Sequence, residues 1–160
     1  MTLLKTYLMS GLALTVATLA ATQAQETIAL VVGKGTNLEN LSTAELQKLF
    51  RCEKSKAPDG SKVTIVMRDA GSPEREAVLA SVLKMGESEY LKHILLATFT
   101  GAVQAAPKAL SSGGAVKQFV SSTPGGLGYI KTSELDDTVK VVRIDGKSPT
   151  EADYPVKSAK

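Results

Sequence analysis

Val63-Thr64-Ile65-Val66-Met67-Arg68-Asp69-Ala70-Gly71-Ser72-Pro73-Glu74-Arg75-Glu76 reads as a buried strand, a tight turn and the opening of a helix. Val63, Ile65 and Met67 alternate with Thr64 and Val66, a β-rich run that stops at charged Arg68 and Asp69. Gly71 supplies a turn position where the backbone takes dihedrals other residues avoid or lies close to a ligand. Ser72 is a good N-cap, and Pro73 suits the first helical position, where its missing N–H would go unbonded anyway. Glu74 and Glu76 place acid in the first turn, where the helix dipole favours it.

A strand that runs into a helix through Gly-Ser makes a natural pocket for an anion. Backbone N–H groups and a hydroxyl converge there, and the positive end of the dipole adds to the pull. Arg68, at the strand's mouth, can close its planar fork on two oxygens of a phosphate or carboxylate. Gly-Ser-Pro-Glu also begins many helices that bind nothing, and Arg68 can instead pair with Asp69 or Glu74. The two glutamates compete with any incoming anion.

Upstream, Ile28-Ala29-Leu30-Val31-Val32 is a near-continuous apolar run, which predicts a strand covered on both faces. Ser42-Thr43-Ala44-Glu45 is a capping box, and it starts a helix with Leu46, Leu49 and Phe50 on one stripe, stapled by Leu38 and Leu41. Ala57-Pro58-Asp59-Gly60 marks a turn in a polar loop. Downstream, the Ser72 helix buries Val78, Leu79, Val82 and Leu83. Ser88 is the expected cap of the next helix, which is predicted to bury Leu91, Ile94, Leu95 and Phe99. Residues 102–112 read as an Ala-rich surface loop, and Ser112-Gly113-Gly114-Ala115 as another helix opening. Thr123 to Ile130 is a turn feeding a short strand, Val139 to Ile144 a final strand, and residues 147–160 a loosely attached polar tail. Strands alternating with helices indicate an α/β sandwich with a central sheet.

The first 24 residues have the form of a secretory signal. Lys5 supplies the positive charge, Tyr7 to Ala21 is apolar and rich in small residues, and Thr22-Gln23-Ala24 fits a cleavage site before Gln25. The expected organisation is therefore a signal peptide at 1–24, one α/β domain at 25–146 and the tail at 147–160, in a periplasmic protein not inserted in the membrane after cleavage. The chain carries 19 basic and 16 acidic residues, a net charge of +3, and removal of Lys5 leaves +2. So small a charge, spread along the chain, gives no footprint for nucleic acid. Cys52 is the only cysteine and His93 the only histidine, so neither a disulfide nor a metal site is expected, and no cofactor is implied. Ser72 has no histidine nearer than His93 and no acid to orient it, so no catalytic triad is expected and the chain reads as a non-enzyme.

Three stretches together resemble one family. Leu41 to Phe50 followed by Pro58-Asp59-Gly60 looks like its helix and loop. Arg68-Asp69-Ala70-Gly71-Ser72 matches its anion loop, an arginine four residues before a serine. Thr123-Pro124-Gly125-Gly126-Leu127-Gly128-Tyr129-Ile130 resembles its Thr-Pro-Gly-x-Ile-Gly-Tyr-Val turn. The family is the phosphate-type periplasmic substrate-binding proteins of ABC importers, and the resemblance runs from Ile28 to Ile144. It implies a single three-layer sandwich lobe, with Arg68 donating to phosphate oxygens, Gly71 shaping the loop and Ser72 offering its hydroxyl and amide. Pro73 and Glu74 stand where the family has Gly and Thr, which removes an amide donor and adds a negative charge.

Two functions follow as expectations. One is a periplasmic binding module that holds phosphate or a similar small oxyanion at Arg68, Gly71 and Ser72, linked to ABC-type uptake and completed by a homodimer or another partner. The other is a lobe whose ligand site has decayed and whose surface docks an envelope protein.

Overall fold

The computed structural model describes residues 25–103 and 105–158; the signal-like segment 1–24 lies outside them. Six strands form one sheet in the order β2-β6-β1-β5-β3-β4: β1 Ile28–Gly33, β2 Asn40–Leu41, β3 Thr64–Arg68, β4 Lys108–Leu110, β5 Gly126–Lys131 and β6 Val139–Ile144. β3 runs parallel to both β4 and β5, β2 runs parallel to β6, and β1 is antiparallel to its two neighbours. The helices are α1 Thr43–Phe50, α2 Pro73–Val78 continued by a π-helical turn Leu79–Leu83, α3 Glu87–Phe99 and α4 Gly113–Ser122.

The sheet has helices on both faces, so the chain is the expected three-layer α/β sandwich. On one side, Ile28, Leu30 and Val32 pack with Leu46, Leu49 and Phe50 of α1 and with Val78, Leu79, Val82 and Leu83. On the other, Val31, Val66 and Ile130 pack against Val116 and Val120 of α4. Every residue of β1 is buried, which explains its unbroken apolar run. The Ser42 capping box forms as read, with the Ser42 side chain accepting from the Glu45 amide and the Glu45 side chain reaching back.

The motif from Thr123 to Ile130 serves packing. Gly125 has φ +73°, and any Cβ there would overlap the Lys62 carbonyl. Gly128 lets α4 approach β5, since a Cβ would press on Val116 and Val66.

Four expectations are corrected. α3 is capped by Gly86, not Ser88. Its buried residues are Tyr90 and Ile94, while Leu91, Leu95 and Phe99 are exposed. The Tyr90 hydroxyl donates to the Phe50 carbonyl and fixes which side of this helix, apolar on more than one stripe, turns inward. Residues 102–112, expected as a surface loop, contain β4, an edge strand whose short Lys-Ala-Leu sequence carries almost no pattern. The supposedly loose tail is docked: Tyr154 and Val156 are buried in the larger core, and the Val156 carbonyl accepts from the Ile28 amide.

Candidate functional site

β3 brings Arg68 to its carboxyl end, the place where open α/β sheets meet ligands. Alternation puts Arg68 on the α4 face with Val66, and its charged side chain is 10% exposed. A turn closed by the Ser72 amide donating to the Asp69 carbonyl then leads into α2. Gly71 has φ +81° with open space around a would-be Cβ, so backbone conformation, not crowding, is what demands glycine there. The Ser72 hydroxyl accepts from the Arg75 amide at 3.3 Å, the cap expected of it.

The arginine fork is turned inward. One terminal nitrogen of Arg68 donates to the Leu110 carbonyl at 3.0 Å, and the other reaches Glu74 Oε1 at 3.4 Å. Glu74 is 3% exposed. The alternative of an internal Arg68–Glu74 pair is thus the one observed. The pair is incompletely satisfied: Arg68 Nε and Glu74 Oε2 are both buried without a hydrogen-bond partner. Arg68, Gly71 and Ser72 lie on one corner, with Gly71 exposed and Ser72 half-buried, but Arg68 does not present its fork to solvent.

Residues that sequence reasoning missed hold this corner. Arg75 is buried, donates to the Arg68 carbonyl at 3.0 Å, and clamps Glu87 through two bonds of 2.8 and 2.6 Å. Its guanidinium lies over the Tyr90 ring, 5.4 Å from the centroid. The available signal was position: Arg75 shares the helical stripe of Val78, Leu79 and Val82, which is the inward one. The Tyr129 hydroxyl accepts from the Arg68 amide at 3.0 Å. Burial pushes its pKa well up, against the lowering effect of that amide and of the two arginines.

The opening of α4 is filled likewise. Ser112 caps the Ala115 amide, and the Glu134 carboxylate sits so close to Gly113 that any side chain there would collide with it. Cys52 is a half-buried free thiol whose pKa burial raises, which keeps it in its less reactive form. His93 lies 3.1 Å from the Arg51 carbonyl. No group of three metal-ligating side chains occurs among the described residues. A concavity of about 790 Å³ opens at the amino end of β3, beside Cys52, Lys62 and Lys108, and contains none of Arg68, Gly71 and Ser72.

No protein-family model matches the sequence. Solved structures do resemble it. A Clostridium perfringens chain described as a phosphate ABC transporter substrate-binding protein, with phosphate bound, aligns at TM-score 0.67 and 20% identity, over 83% of this chain and 53% of that one. PstS from Borrelia burgdorferi aligns at 0.65 and 15% identity, over 83% and 55%. An ABC-type phosphate transport receptor from Vibrio cholerae aligns at 0.63 and 18% identity, over 78% and 48%. The chain spans about half the length of each of these three proteins. Among the described residues, no helix is long and apolar enough to cross a membrane. The chain therefore has the fold of a phosphate-type periplasmic binding-protein lobe.

Proposed function

We propose that the protein is a periplasmic binding lobe whose β3–α2 corner takes up phosphate or a similar protonated oxyanion, serving ABC-type uptake, with Glu74 holding the site closed until the ligand arrives. The observation that carries this is the pair of unmatched atoms, a donor at Arg68 Nε and an acceptor at Glu74 Oε2. Buried polar groups left without partners are costly. A hydrogen phosphate answers both at once: an anionic oxygen accepts from the guanidinium, and its P–OH donates to the carboxylate. Ser72 retains a hydroxyl hydrogen to offer, and Gly71 keeps the corner free of side chain. A fully deprotonated anion such as sulfate meets only repulsion from Glu74.

Calorimetry with phosphate and sulfate tests this on the wild type, Glu74→Gln and Arg68→Lys. The expected pattern is weak binding that prefers phosphate, loss of that preference in Glu74→Gln, and loss of binding in Arg68→Lys, whose ammonium lacks the fork. No heat with either anion in wild type and Glu74→Gln alike would remove the reading. The exported form is expected to begin at Gln25 by amino-terminal sequencing.

A second reading, a lobe that works by docking protein, is favoured by a separate observation. Leu91, Leu95, Leu96 and Phe99 are large, apolar and exposed on α3. Crosslinking in intact cells is then expected to return a stable protein contact through this helix, insensitive to phosphate.

A further inference from the structure

The exposed residues of α3 are arranged, not scattered. Leu91, Leu95 and Phe99 follow one another at four-residue spacing, so they form a single ridge along the helix, and Leu96 flanks it. Their exposures are 52%, 68% and 91%, with 62% for Leu96. Phe99 stands out at one end of the ridge. At the other end, beside Leu91, is a depression of about 240 Å³ lined by Leu91, Ile94, Tyr90, Ala106 and Pro107, with the charged Arg75 also on its wall. An apolar cavity of about 150 Å³ accommodates benzene, so this one has room for a phenyl ring.

A projecting ring and a hollow that fits it, eight residues or about 12 Å apart along one helix, are self-complementary under a two-fold axis. We propose that two copies of this chain associate through α3, antiparallel and centred on Leu95, each inserting Phe99 into the hollow beside the other's Leu91. Such an isologous contact closes on itself and stops at a dimer. The helix ends support the same orientation. Lys92 lies on the ridge side and is exposed, and in the antiparallel pair it meets the carboxyl end of the other α3, where the helix dipole attracts a cation. The four side chains offer on the order of 500 Å² per copy, the size of the largest apolar patch on a typical monomer. Roughly 1,000 Å² over both copies is the lower limit of a specific interface, so the dimer is a weak, concentration-dependent one.

This proposal deepens the docking reading and rests on it only in requiring that the α3 face be covered; the hollow touches Ala70 and Arg75 of the β3–α2 corner but none of Arg68, Gly71 and Ser72. Sedimentation velocity of the purified protein over a wide concentration range is expected to show monomer passing to dimer. Phe99→Asp is expected to weaken that association at least tenfold, by the usual size of a central aromatic anchor, while leaving phosphate calorimetry unchanged. In a Cys52→Ser background, Leu95→Cys is expected to form an intermolecular disulfide under mild oxidation, because position 95 sits at the axis, and Glu89→Cys is not. A wild type that stays monomeric, a dimer indifferent to Phe99→Asp, or equal crosslinking at positions 89 and 95 overturns the proposal. A pure protein that stays monomeric while cellular crosslinking through α3 captures a different protein preserves the docking reading and ends self-association.

Discussion

The β3–α2 corner and the outer face of α3 invert the usual distribution of side chains. At the corner, Arg68, Glu74 and Arg75 are charged and buried; on α3, Leu91, Leu95, Leu96 and Phe99 are apolar and exposed. Folding tends to drive each group the other way. Burying three charges requires that each find partners, and the corner meets this only in part. Exposing four large apolar side chains gives up burial worth roughly 1.5–3 kcal/mol each. Regions that contradict the folding tendency are where function is most economically sought, and here the two contradictions carry the two proposals, an oxyanion corner and a docking face.

The sharpest way to break the contrast is to remove one buried charge. Arg68→Ala strands Glu74 in the interior and is expected to cost about 3–5 kcal/mol in denaturant unfolding, whereas Arg68→Met with Glu74→Leu is expected to recover most of it. A single substitution costing under about 1 kcal/mol would mean that the corner is wet rather than buried.

A smaller effect comes from the tyrosines that close these regions. Burial raises the pKa of Tyr90, Tyr129 and Tyr154 above the ordinary phenol value. A group with a raised folded pKa gives its full stability below the unfolded pKa, about 10, and loses it as pH rises from there through the folded value. Unfolding midpoints are therefore expected to hold flat to about pH 9 and fall beyond about pH 10, and absorbance titration is expected to show these phenols ionising late, together with unfolding.

The smallest effect sharpens the comparison from the other side. Phe99→Ser is expected to change monomer stability by less than about 0.5 kcal/mol, while Ile94→Ala, one turn away on the inward face, costs roughly 2–4 kcal/mol. Equal costs would show that the ridge packs against its own chain.

Much of this was legible in the chain. Ser42 and Glu45 cap α1 as their spacing requires, Ser72 and Pro73 open α2, and the apolar run of β1 is buried on both faces. The strand–turn–helix corner carrying Arg68, Gly71 and Ser72 was equally plain. What failed was facing. α3 has apolar residues at 90, 91, 94, 95, 96 and 99, so more than one stripe is consistent with its sequence, and periodicity cannot choose between them. β4 and the docked segment around Tyr154 and Val156 are held by pairing with distant strands, which leaves no local mark.

The amino-acid sequence by itself determined the elements and their order, the caps, the tight turns at Gly60 and Gly71, and the α/β layering, because propensity, capping and alternation act over a few residues. The tertiary structure decided where the Arg68 fork points, that Glu74 rather than Asp69 answers it, that Arg75 is interior, and which side of α3 meets water. Those outcomes depend on contacts between residues far apart in the chain, such as Arg68 with Leu110 and Tyr90 with Phe50, and a buried charge or an exposed ridge exists only relative to what the rest of the fold places beside it.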